Sequence, residues 1–340
     1  MNYDISVSER TFHFKQPVGT SRGVYVTRHS WFLEMTSPQL PGVKGIGECA
    51  PLPQLSCDDI PEYERILKDV CEMVCRTGKI DVSMLRPYPS ILFGLETAWQ
   101  NLHAGDVKLF DTPFGRGEEG IPINGLVWMG AYDEMLARIE EKLRMGFRCI
   151  KMKIGAIEFA KEIALIRHIR ERYTKEQIEL RVDANGGFTP DEALKKLEIL
   201  ARYDIHSIEQ PIRAGQYEQM ARLCEVSPLP IALDEELIGI ACEKRKEEML
   251  KIIKPAYIIL KPSLIGGYKG SEEWITLAQE QGVGWWITSA LEGNVGLSAI
   301  AQWTYTLGNP MPQGLGTGSL YTNNFPSSLE VKNGGLWWIK

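Results

Sequence analysis

Histidine is scarce in this chain. The 340 residues hold five (His13, His29, His103, His168 and His206), dispersed from end to end. An imidazole-built metal centre or a histidine-activated nucleophile therefore finds no support. The seven cysteines are an odd number without framework spacing, at Cys49, Cys57, Cys71, Cys75, Cys149, Cys224 and Cys242. Cys71 and Cys75 have no second pair to complete a zinc set, so the cysteines read as reduced thiols. Positive charge is not in excess. A formal charge of −6 and a pI near 5.6 leave no basic footprint for nucleic acid or an anionic membrane. No run approaches the ~20 apolar residues that span a bilayer. The opening residues lack the basic region and apolar stretch of a secretory leader. A cytoplasmic protein with neither nucleic-acid nor membrane partners is expected. Also missing is a glycine-rich phosphate turn after an early strand. Gly314, Gly316 and Gly318 look like one, but no helical pattern follows them.

What is present is an ordinary globular composition, 44% hydrophobic and 24% charged, in a chain long enough for one barrel with additions or a large and a small domain. Residues 2–14 and 24–35 alternate and are rich in β-branched and aromatic side chains, which predicts an antiparallel pair around a loop at 17–23. A third strand ends in the proline-containing stretch 45–54, a stiff loop suited to walling off a ligand. Helical periodicity follows over 58–76 and 90–105, so the first ~110 residues read as α+β. From residue 121 short apolar strands alternate with amphipathic helices. Strands are expected at 121–128, 149–154, 179–183, 207–209, 230–233, 257–260, 284–288 and 311–316. Eight strands and seven helices in about 195 residues fit a barrel of the TIM type better than the alternative, an open doubly wound sheet. The aromatic end, Leu336 to Ile339, is expected to pack back on the first domain.

Charged residues break these strands at one recurring place. Lys153 is followed by Asp183 after 30 residues, Glu209 after 26, Asp234 after 25 and Lys261 after 27. One βα unit of a barrel occupies about 25–30 residues, so each falls at the C-terminal end of its strand, where barrel enzymes place their chemistry. A single carboxylate there is ordinarily a cap or an ion pair. Three gathered at one mouth repel each other unless a cation compensates. Oxygen ligands alone select a hard ion, Mg²⁺ with Mn²⁺ as its substitute, held by Asp183, Glu209 and Asp234. Lys151 and Lys153 alternate on one strand and share a face. Desolvation and mutual repulsion are expected to lower their pKa, which suits a lysine that accepts a proton near neutrality. Lys153 and Lys261 would face each other across a small-molecule carboxylate, one abstracting the α-proton while the other offers charge or a proton. Elimination or epimerisation would follow. A binding barrel without activity would not require two opposed, desolvated lysines.

In order along the chain, Lys151-Met152-Lys153, Asp183-Ala184-Asn185, Glu209-Gln210-Pro211, Asp234-Glu235-Glu236 and Leu260-Lys261-Pro262 resemble the enolase superfamily, muconate-lactonising subgroup. The resemblance spans nearly the whole chain. It implies a (β/α)7β barrel over 116–316 and an α+β capping domain over 1–115, completed by 317–340. It also implies Mg²⁺-dependent lyase chemistry, a syn dehydration through an enediolate. Racemases of N-acylamino acids, dipeptide epimerases and muconate cycloisomerases use the same lysine pair and are the alternatives. By the same resemblance Lys153 is the base and then the acid toward the departing hydroxyl. Lys261 stabilises the enediolate, and Lys151 tunes Lys153. Ser289, Asn185 and the 17–23 and 47–56 loops meet the substrate.

Overall fold

The computed structural model describes residues 2–20, 23–155 and 157–339. Its first part is a three-stranded antiparallel sheet of β1 (Asp4–Thr20), β2 (Gly23–Thr36) and β3 (Gly45–Cys49), in that order. The β1–β2 hairpin is longer than the alternation predicts. Pairing runs from Asp4↔Thr36 to His13↔Thr27, slips, and resumes from Val18↔Tyr25 to Thr20↔Gly23. The expected 17–23 loop is therefore mostly paired strand, and its Ser21 and Arg22 lie outside the described residues. The slip falls at residues 14–17. Pro17 lacks the N–H that a continuous ladder needs, so a bulge tolerates it where regular pairing would not.

Two helices cover this sheet. Tyr63–Thr77 buries Tyr63, Leu67, Val70, Cys71 and Val74, a stripe at helical spacing. Pro89–Ala104 starts with proline at its first turn and ends on Gly105 at φ 69°, the usual asymmetry of helix ends. This second helix sits unusually close to β3. A Cβ on Gly47 would lie 1.9 Å from the Gly94 carbonyl oxygen, and one on Gly45 would lie 2.0 Å from that of Ala98. Only glycine permits that approach. It fixes the height at which the chain leaves β3 for the loop above the barrel.

The barrel begins after β4 (Ile121–Pro122). Parallel strands β5 (Gly125–Val127), β6 (Cys149–Lys153), β7 (Glu179–Asp183), β8 (Ser207–Glu209), β9 (Ile231–Leu233), β10 (Tyr257–Leu260) and β11 (Gly284–Ile287) pair in sequence order. Each is followed by a helix. That after β7 opens with Thr189, whose N–H bonds to Glu192 Oε1 at 3.1 Å, and with Pro190 at the first helical position. Along β6, Ile150 and Met152 are 0% exposed against the helices, while Lys151 and Lys153 face inward. Burying each such apolar side chain contributes roughly 1.5–3 kcal/mol.

The glycine-rich stretch expected as a last strand supplies two isolated bridges instead, Ile123↔Gln313 and Thr288↔Gly314. These still close the ring. Gln313 N–H donates to Pro122 O and Gly314 N–H to Ile287 O, both at 2.8 Å, and Gly314 O accepts from Ser289 N–H. Glycine is needed because a Cβ at 314 would stand 2.5 Å from Thr288 Oγ1.

Beyond the barrel, Tyr321 stacks on Phe12 at 4.9 Å, and Thr322 N–H bonds to His13 O. The terminal hairpin β12 (Leu329–Lys332) and β13 (Gly335–Trp338) then pairs with β4. All seven cysteines are free. No helix among the described residues is long and apolar enough to cross a membrane.

Candidate active site

Strand register sets the geometry of the barrel mouth. Parallel pairing aligns Lys153 with Asp183, and Asp183 with Glu209, so three ionisable side chains stand at one level on β6, β7 and β8. Glu209 is level with Ala232, which places Asp234 one inward position further along; Lys261 directly follows β10. Asp183, Glu209 and Asp234 are all but fully buried. The structure thus gathers the carboxylates and all three lysines of the sequence analysis at one place.

Lys151 Nζ donates to both oxygens of Glu209 at 2.7 and 2.6 Å, and lies 2.9 Å from Asp183 Oδ2. Lys153 Nζ donates to Asp183 Oδ2 at 2.7 Å and to Asn185 Oδ1 at 2.6 Å. Lys261 Nζ donates to Asp234 Oδ2. Asn185 passes its other amide atom on, with Nδ2 donating to Glu235 Oε1 at 3.0 Å.

These contacts reverse one expectation. Burial does act to lower the Lys151 pKa, but attraction by Asp183, Glu209 and Asp234 outweighs it, and the ammonium form is held. Lys261 is raised in the same way: burial opposes, while Asp234, Glu209 and Glu235 prevail. Neighbouring carboxylates matter more here than mutual lysine repulsion. Burial would raise Asp183, yet Lys151 and Lys153 pull it well below the carboxylate range. Glu209 is driven up by burial and by Asp183. Glu235 is pushed up to about 6 by burial and by the adjacent Asp234 charge.

The carboxylates can accommodate a cation on chemical grounds. The donor set is oxygen only, and Asp183, Glu209, Asp234 and Glu235 outnumber Lys151, Lys153 and Lys261 by four to three. Glu235 Oε2 is buried without a hydrogen-bond partner among the described residues. Such a set suits a hard divalent ion. Among the described residues no three His, Cys, Asp or Glu side chains are arranged as ligands about one point. Lys151 instead bridges Asp183 and Glu209, while Lys261 holds Asp234.

Above the charged floor lies a cavity with one apolar wall, formed by Tyr25, Leu52, Leu55, Trp128 and Leu291. Ser289 and Asn185 both line it, and Ser289 Oγ is 2.7 Å from Thr317 Oγ1. The 47–56 loop contributes Leu52 and Leu55. From the hairpin it is Tyr25, just past the 17–23 segment, that reaches the cavity, and its hydroxyl donates to Pro53 O at 2.8 Å.

The sequence reading missed Thr288, Thr317 and Trp128. Thr288 carried a legible signal, because it follows β11 in the same inward phase as Trp286. Buried Asn124 Oδ1 and Thr288 Oγ1, like Glu235 Oε2, have no hydrogen-bond partner among the described residues, and their residues all line the cavity. Backbone strain also concentrates here. Gln54, Asn185, Gln210 and Leu291 have φ of 62°, 44°, 40° and 63°. That region costs a residue bearing a Cβ about 1–2 kcal/mol.

A barrel presenting opposed lysines and ordered carboxylates at its C-terminal rim, beneath an α+β cap, defines a class. Residues 134–337 match the family model described as enolase C-terminal domain-like, and the chain belongs to that family. Among particular proteins, it is 45% identical to an o-succinylbenzoate synthase of Desulfotalea psychrophila, over 98% of each chain. The crystal structure of MenC from that organism superposes with a TM-score of 0.84 at 40% identity, covering 99% of this chain and 100% of the other. The substrate-liganded L-Ala-D/L-Glu epimerase of Bacillus subtilis also gives a TM-score of 0.84, over 99% and 96% of the chains. At 22% identity that second likeness concerns the fold alone.

Proposed function

We propose that this protein is an o-succinylbenzoate synthase of menaquinone biosynthesis, dehydrating 2-succinyl-6-hydroxy-2,4-cyclohexadiene-1-carboxylate to o-succinylbenzoate. The observation that carries this reading is the presentation of Lys153 and Lys261 into one cavity that also has an apolar wall. The 45% identity to a synthase over nearly the full chain supports it.

Asp183, Glu209 and Asp234 would hold Mg²⁺, which when bound supplies positive charge to the carboxylates and stabilises the negative charge that grows on the substrate carboxylate. Lys153 takes the α-proton as a free amine. Returning that proton to the departing hydroxyl from the same face releases water and aromatises the ring, so one lysine serves as base and then acid. Lys261, held cationic by Asp234, balances the transient negative charge from the other side. Asn185 orients Lys153 through its amide oxygen. Tyr25, Leu52, Leu55 and Trp128 exclude water from the ring, and the Ser289–Thr317 hydroxyl pair receives the polar succinyl arm.

The test is direct. Purified protein with Mg²⁺ and the cyclohexadiene precursor should produce aromatic absorbance. No aromatisation, together with Mg²⁺-dependent α-proton exchange in N-succinylamino acids or dipeptides, would assign the site to a racemase or epimerase instead.

A further inference from the structure

Three ionisable side chains that take no part in this chemistry are buried where the antiparallel sheet meets the barrel. Arg28 on β2 is 2% exposed, and Glu48 on β3 and Glu292 are 0% exposed. The Arg28 guanidinium bridges two loops that are remote in sequence. Nη1 donates to the Ala290 carbonyl, and Nη2 donates to the Ala50 carbonyl at 2.5 Å. Glu48 accepts the N–H groups of Gly293 and Gly296 at 2.7 and 2.8 Å, at the start of helix Asn294–Thr306. Glu292 accepts the Ala290 N–H at 2.7 Å and the Ser263 hydroxyl. Tyr321 Oη, on a ring stacked against Phe12, donates to Leu291 O at 2.6 Å.

The two segments joined in this way form the cavity wall. Ala290 and Leu291 line the cavity, and so does Leu52, two residues past Ala50. Leu291 also sits at φ 63°, a conformation a leucine leaves unless its surroundings hold it. The restraints here are the Arg28 and Tyr321 bonds to consecutive carbonyls. A planar guanidinium with diverging N–H groups fixes the spacing of two acceptors, which a single ammonium on a flexible stem does not.

We propose that Arg28 is a specificity-determining positioning residue. It ties the 50–56 loop to the strained 289–292 turn as one wall and so sets which acyl arm of a carboxylate substrate fits beside the lysines. This rests on the synthase reading for the identity of that arm. Substrate discrimination is then controlled partly from the sheet, by a residue outside the lining.

Arg28→Met, Arg28→Lys and Tyr321→Phe test it, with kinetics on the cyclohexadiene precursor and amide hydrogen exchange followed by mass spectrometry. Arg28→Met should raise KM about tenfold or more while kcat stays within about threefold, the signature of lost binding geometry with intact chemistry. Arg28→Lys should recover part of that loss, and Tyr321→Phe should raise KM about threefold. Exchange in peptides spanning 50–56 and 289–292 should quicken together in Arg28→Met, with β7 to β10 unchanged.

A folded Arg28→Met enzyme with wild-type KM would overturn the proposal. So would an equal fall in kcat and kcat/KM, or faster exchange in only one of the two segments. If Arg28→Met does not fold, Tyr321→Phe, which removes one hydroxyl, decides through KM and exchange at 289–292. If the wild-type protein does not aromatise the precursor, the synthase reading fails, and coupled exchange still decides whether the two loops are tied.

Discussion

Buried charge occurs in two regions of this molecule, and it is anchored differently in each. At the barrel mouth Lys151, Lys153 and Lys261 bond to side-chain acceptors, the carboxylates of Asp183, Glu209 and Asp234 and the amide of Asn185. At the seam between cap and barrel each buried charge bonds to main chain, in some cases beside a side-chain partner. Arg28 holds two carbonyls, Glu48 holds two N–H groups, and Lys246, 1% exposed, donates to Gly270 O as well as to Glu273. Arg86 closes that last cluster with a two-point contact to Glu273 and a bond to Ala241 O. A side-chain partner can be exchanged for a cation or a substrate without moving the backbone. A main-chain partner cannot. Buried charge of the first kind can do chemistry, and charge of the second kind fixes where elements sit.

The comparison breaks if the two regions respond alike to mutation. Lys153→Ala should lower kcat by about a thousandfold or more, as expected when a general base is removed, with little change in melting temperature or Mg²⁺ affinity. Retained turnover would take Lys153 out of the mechanism.

Lys246→Met should do the reverse. Removing one of the two cations that hold Glu273 should cost about 1–3 kcal/mol in denaturant unfolding, while KM and kcat of the folded fraction stay near wild type. A comparable loss of turnover in that variant would erase the distinction.

Asp183→Asn sharpens the mouth side. Mg²⁺ affinity measured by titration should fall at least about tenfold, and unchanged affinity would make the carboxylate trio structural.

A further effect is at the seam, in pH dependence. Glu96 accepts the N–H groups of Tyr268 and Lys269 at the start of helix Gly267–Glu280, and burial pushes its pKa up to about 8. A carboxyl raised in the folded state binds its proton more tightly folded than unfolded. Its contribution to stability is therefore full below the ordinary glutamate range and lost as pH rises through about 8. Glu96→Gln should flatten that part of the stability profile in urea melts. An unchanged slope would show that Glu96 titrates normally.

Much of this was legible in the sequence for a simple reason. A strand alternates and a βα unit has a nearly fixed length, so spacings of 25 to 30 residues between Lys153, Asp183, Glu209, Asp234 and Lys261 already placed them at one rim. Those same rules carried the order of the parallel strands and both helices on the sheet. They could not carry the last stave. Residues 311–316 lack apolar alternation, and their place in the ring comes from bonds to Ile287, Ser289 and Pro122 that form only once the other strands have curled. Nor could they give the direction of the Lys151 pKa, which depends on how near three carboxylates from other strands come to one ammonium. Local periodicity determined which residues would face inward. Only packing between sheet and barrel, through contacts such as Arg28 to Ala290 across 262 positions, decided the shape of the space they face, because such contacts leave no period in the chain.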